Sequence, residues 1–126
     1  MRIPKTNRVP RTRAGGKWSE AAFWGFVRSG LRQLSMRWPP LSDVLKNNRR
    51  PYHGENKRQK WEYCCAICGG WFSAKQIEVD HLDPVGSLKS FDDIQGFCER
   101  MFCEVDRLRV TCVECNQARA RTKYRN

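Results

Sequence analysis

The chain has 126 residues, with 24 Lys and Arg against 13 Asp and Glu, for a formal net charge of +11. That length suits one domain, with room for an extended arm. There is no charged-then-apolar leader and no apolar run near the roughly 18 residues of a membrane span. A secreted or membrane-embedded protein is therefore not expected, and a reducing cytoplasmic setting is.

Charge is spread unevenly. Residues 1–60 carry 15 Lys/Arg against 3 Asp/Glu, net +12, while residues 61–126 carry 9 against 10, net −1. A basic half joined to a nearly neutral one is the footprint of a polyanion binder, with a merely soluble surface as the blander reading. Residues 1–17 hold two Pro, a Gly-Gly pair and six basic residues without apolar periodicity, which predicts a flexible basic arm. Residues 18–60 then form a helical basic region. Its first helix is expected over 19–38, capped by Ser19 with Glu20 in the first turn. Phe23, Val27, Leu31, Leu34 and Trp38 make its apolar stripe, and Pro39-Pro40 stops it. A short second helix follows from Leu41 to Asn48, with Ser42 as its cap. Next comes a polar stretch in which Arg49, Arg50, Lys57, Arg58 and Lys60 alternate with Tyr52 and Trp61, a mixture suited to phosphate contact and stacking. His53 reads as a surface histidine.

Residues 61–126 carry the chemistry. Cys65-Ala-Ile-Cys68 and Cys112-Val-Glu-Cys115 are two close thiol pairs separated by 43 residues. In a reducing compartment such pairs read as a tetrahedral Zn2+ site rather than as disulfides. Cys64 could replace Cys65 at a wider spacing, and Cys98 and Cys103 read as buried hydrophobes. Trp71-Phe72 and Gln76–Val79 are expected as short strands, Ser90–Cys103 as an amphipathic helix, Leu108–Thr111 as a strand and Val113–Arg121 as the closing helix. Between the knuckles stands Asp80-His81, at the end of a strand. Phosphodiester hydrolysis needs a base for water and a cation on the phosphate. His81 can take the proton, Asp80 can hold the cation, and the closing helix can bring Asn116 as a further oxygen ligand.

These residues carry a family resemblance. Cys65-x-x-Cys68, Glu78-Val-Asp80-His81, Leu108-x-Val110 and Cys112-x-x-Cys115-Asn116 resemble the HNH nucleases with a ββα-metal core, in particular the zinc-stabilised members often encoded by phages and prophages. The resemblance covers residues 62–121, and the stretch Asn56–Trp61 also looks like the basic region that precedes the core in phage-type members. It implies an α+β fold: a small zinc-stapled ββα-metal core behind a helical basic N-terminal extension. It casts His81 as general base and Asp80 and Asn116 as ligands of a catalytic divalent cation, with helix 90–103 inserted between the two strands. An Asp and an Asn favour Mg2+ or Mn2+ over softer metals. DNA becomes the expected substrate, with Arg109, Arg119 and Arg121 joining the phosphate contacts. A phage packaging or host protein is a further possible partner. One position departs from the pattern: Arg107 stands where the family has an Asn that orients the catalytic His. Arg107 can clamp the phosphate instead, or Asp106 can serve as the acceptor if the register slips. The alternative reading is a catalytically decayed HNH zinc module that binds DNA or a protein.

Overall fold

The structure, a computed structural model, describes the backbone of residues 9–123 and the side chains of residues 9–118. Residues 1–8 of the expected arm and the side chains of Arg119 and Arg121 lie outside the described residues. Among the described residues the chain is a small α+β fold with four α-helices and two small sheets. None of these helices is long and apolar enough to cross a membrane.

Helix α1 (Glu20–Ser35) begins as its sequence asks, with the Ser19 hydroxyl accepting the Ala22 N–H at 3.2 Å. Its end comes three residues earlier than expected. Trp38 precedes a proline, which disfavours helical backbone, and it takes an extended conformation (φ −67°, ψ 119°). Helix α2 (Pro39–Asn47) therefore starts at Pro39-Pro40 rather than at a Ser42 cap. Proline stops one helix here and opens the next, because its missing N–H is no loss in a first turn. Trp38 turns inward instead of extending the stripe of α1. Its indole N–H donates to the Cys103 carbonyl at 2.6 Å, and its ring packs edge-on against Phe102.

The polar stretch after α2 is not a plain linker. Arg49–Pro51 (β1) pairs antiparallel with Trp61–Cys64 (β2), which pairs with Trp71–Phe72 (β3). The second sheet pairs β4 (Ile77–His81) with β5 (Leu108–Cys112) in antiparallel register, Glu78 opposite Thr111 and Asp80 opposite Arg109. Gln76 lies outside β4, closing a 3-10 turn with Ser73. Between the two strands, a short turn at Phe91–Asp93 leads into α3 (Ile94–Met101). Helix α4 (Val113–Lys123) follows β5 without a loop.

Two cores organise the whole. One joins α1 to α3 and its approach through Trp24, Leu88, Phe97 and Met101, with Phe23, Val27 and Leu31 against them. Trp24, not the expected stripe residues, is the buried anchor of α1, and Leu34 stays half exposed. The other core places α2 on the β4–β5 pair through Val44, Leu108 and Val110, flanked by Ile77 and Val79. The end of the N-terminal arm is tied down as well. Arg13 pairs with Trp18 across a tight turn, binds Glu20 at 2.7 Å and lies over the rings of Phe23 and Phe91.

Candidate metal centre and strand pair

The four knuckle cysteines converge. The sulfurs of Cys65, Cys68, Cys112 and Cys115 all lie within 4.8 Å of one another. Thiolates about 2.3 Å from one tetrahedral zinc sit about 3.8 Å apart, so the set can hold such an ion with little movement. Cys64 points elsewhere, its thiol directed at the carbonyls of Cys65 and Gly69.

Local backbone builds the first knuckle. The Gly69 N–H donates to the Cys65 carbonyl and the Cys65 N–H to the Gly70 carbonyl, both at 2.9 Å. Gly69 closes this turn at φ +73°, a conformation that side chains disfavour. The Ala66 N–H reaches the Val110 carbonyl at 2.8 Å, tying the knuckle to β5, whose last residue is Cys112. Amide N–H groups of Ile67 and Cys68 point at the Cys65 sulfur, and that of Cys115 at the Cys112 sulfur. Burial raises the Cys65 pKa, but the amides of Cys68, Cys112 and Ile67 outweigh it and bring it down to about 6. The Cys112 thiol, then burial, then the remaining sulfurs push Cys115 up to about 12. Such a group holds negative charge on Cys65 readily, while Cys68 and Cys115 resist it until a cation replaces their protons.

The β4–β5 pair lies beside this centre. Side chains alternate along a strand, so Glu78 and Asp80 share one face with Arg109 and Thr111. Ile77, Val79, Leu108 and Val110 share the other, which α2 covers. Helix α4 lies over the first face, where the Asn116 amide N–H donates to Glu78. A carboxylate only accepts, so the nitrogen of Asn116 faces Glu78 and its carbonyl oxygen is the end left for a cation. Asp80 accepts from the Arg109 guanidinium at 3.2 Å, and both are largely shielded from solvent. Among the described residues, the four cysteines are the only group of three or more Cys, His, Asp or Glu side chains close enough to share an ion. An ion on Asp80 and Asn116 would thus have one carboxylate and one amide from these residues.

His81 ends β4, on the face opposite Asp80 by alternation. Its Nε2 lies 3.1 Å from the Met101 carbonyl, at the last residue of α3. A carbonyl has no proton to give, so Nε2 carries a hydrogen, and in the neutral ring the lone pair then falls on Nδ1. The histidine is therefore oriented by a backbone oxygen of the inserted helix. Arg107 is engaged elsewhere, forming two 2.8 Å bonds to Asp83 from a 3-10 turn just before β5. Its guanidinium holds the Asp83 carboxyl below its usual range. His81 stands opposite Leu108 in the strand pair, and Asp106 stays exposed on the turn. His53 is exposed, as expected.

The sequence motif includes Glu78 without giving it a role, and it does not reach Asp83 or the Met101 carbonyl. Glu78 was accessible to that reasoning, since a residue two before Asp80 on a strand shares its face. The Met101 contact was not, because a backbone oxygen has no letter of its own. No family model, curated protein or solved structure matches the chain.

Proposed function

We propose that residues 61–126 form an HNH-type endonuclease unit that hydrolyses DNA phosphodiester bonds, with the basic N-terminal half gripping the backbone. The observation that carries the reading is the oriented His81: a strand-end imidazole with Nε2 bonded to a carbonyl and Nδ1 available as a base, beside a strand pair that runs directly into a helix carrying Asn116. His81 would take the proton of the attacking water. Asp80 and the Asn116 carbonyl would hold a Mg2+ or Mn2+ ion, which when bound neutralises charge on the scissile phosphate. Zinc on Cys65, Cys68, Cys112 and Cys115 would hold β5, α4 and the first knuckle together. Arg49, Arg50, Lys57, Arg58 and Lys60 would contact phosphates, with Arg109 and Arg107 nearer the strand pair. A phage or prophage origin, a bacterial cytoplasmic setting and a packaging or host protein partner are consistent with the same resemblance.

Supercoiled plasmid incubated with Mg2+, Mn2+ or chelator tests this. Metal-dependent conversion to nicked or linear forms is expected, with His81→Ala slower by about 10²- to 10⁴-fold and still folded and zinc-bound. Undiminished cleavage by that variant, in protein free of host nucleases, rejects the assignment. A second reading has its own observation: Arg109 is bonded to Asp80, and Arg107, where the resemblance expects an orienting amide, is bonded to Asp83. A non-catalytic DNA- or protein-binding HNH module would retain zinc and cut under no metal.

A further inference from the structure

The three-stranded sheet carries a groove whose aromatic wall has no part in the proposed hydrolysis, although two of its cations are among the proposed phosphate contacts. It opens beside β2 with a volume of about 700 Å³, within the roughly 300–1,000 Å³ typical of small-ligand sites. Trp61 and Tyr63, two residues apart on β2, share one face of the strand and line it. Arg58 and Lys60 line it from the β1–β2 connection, and Lys75 from the 3-10 turn after β3. No carboxylate is among the described lining residues, and none of these three cations has an ion-pair partner among the described residues.

The aromatic part of the groove is held in place. The Arg49 guanidinium lies 3.9 Å from the centre of the Trp61 ring, which fixes the indole while leaving the residue 36% exposed. The connection is ordered too: the Tyr52 N–H donates to the Lys60 carbonyl at 2.9 Å, extending the hairpin, and Gln59 bonds the Trp61 carbonyl at 3.0 Å.

We infer that this groove takes an unpaired nucleotide of a single strand, its base against Trp61 and its phosphates on Arg58, Lys60 and Lys75. Duplex DNA offers phosphates to the cations but keeps its bases paired and stacked, so an exposed, oriented indole has nothing to meet. An acidic peptide would satisfy the cations and also leave the indole idle. A single strand satisfies both, since every base has a flat π-face. The assignment rests on the nucleic-acid-binding half of the reading above and not on cleavage.

Fluorescence anisotropy with labelled dT10, rU10, a 20-base-pair duplex and a decaglutamate peptide tests it, using the full chain with zinc bound. Trp61→Leu is expected to weaken dT10 binding by about 5- to 150-fold, the range of one lost base stack, and duplex binding by less than about threefold. The same loss is expected on rU10, because neither stacking nor phosphate contact reads the sugar. Lys75→Ala, an exposed change that spares the aromatic floor, is expected to reduce the slope of log affinity against log salt for dT10 by about 0.7. Equal losses on dT10 and duplex, an unchanged salt slope, or decaglutamate binding as tight as dT10 overturns the groove. Plasmid cleavage with dT10 binding indifferent to Trp61→Leu sinks this inference alone. Trp61-dependent binding without cleavage sinks only the nuclease reading.

Discussion

Cys65, near pH 6, and Cys115, near 12, sit in one four-sulfur cluster, so protons and a metal compete there directly. Cys65 lies below the ordinary thiol value of 9.0, so its ionisation favours the folded chain. That contribution is complete above about pH 9 and is lost as pH falls through about 6. Cys115 has the opposite sign: holding its proton above 9.0 penalises the folded chain as pH climbs from about 9 towards 12, until a metal takes the proton's place. Zinc affinity should therefore fall steeply between pH 8 and pH 5.5, with protons released for each ion bound. Titration against a competing chelator at several pH values, with calorimetry in two buffers, measures both. Uptake that ignores pH would contradict the four-thiol assignment. His81 shows a different limit on a single residue. Its identity was legible in the sequence, but what orients it was not: the expected neighbour at 107 is bonded to Asp83, and a main-chain oxygen twenty residues along holds the ring.

At the level of elements, the helices and strands that follow ordinary patterns were readable. Ser19 caps α1, β5 ends on a knuckle cysteine and α4 starts there, because side-chain period and cysteine spacing are written directly in the chain. The β1–β2 pair was not readable. Arg49-Arg50-Pro51 has no apolar alternation and few strand-favouring residues. Tertiary pairing makes it a strand, with Arg49 over Trp61 and Arg50 over Trp71 supplying contact that aliphatic residues would usually give. The start of α2 was misplaced for a similar reason: a Pro-Pro pair reads as a stop, yet also fits a first turn. Two glycines test how the elements are held. Gly69 turns the knuckle at φ +73° with open space around it, so Gly69→Ala should cost about 1–2 kcal/mol from backbone strain alone. Gly25 sits inside α1 with equal space and ordinary backbone, and Gly25→Ala should stabilise by about 0.5–1 kcal/mol. Thermal melts of both variants, with zinc present, should move in opposite directions; shifts of the same sign would show that the knuckle turn is not strained by a side chain.

On the scale of the molecule, the two cores are held by different means. The α2–strand core adjoins the cysteine cluster, through the bond from Ala66 to Val110 and through Cys112 itself. The α1–α3 core has no cysteine cluster beside it and rests mainly on packing, centred on the fully buried Phe97, with Arg28 donating to the Leu88 carbonyl and Arg100 to that of Val85. Phe97→Ala should cost about 3–5 kcal/mol, a large share of the roughly 5–15 kcal/mol that stabilises a small domain. Amide exchange should then show α1 and α3 opening while β5 and the knuckles stay protected and zinc stays bound. Uniform opening of all helices and strands would mean that the layers unfold as one.

The bond between His81 and the Met101 carbonyl runs from one of these layers to the other. Met101 belongs to the α1–α3 layer, and His81 ends a strand of the layer that adjoins the cysteine cluster. Warming that loosens α3 would release the imidazole from its single tautomer while the sulfurs still held their ion. With only two histidines in the chain, the ring signals of His81 would report that release. The temperature at which His81 loses its orientation is thus set by the packing of the α1–α3 layer rather than by the four cysteines.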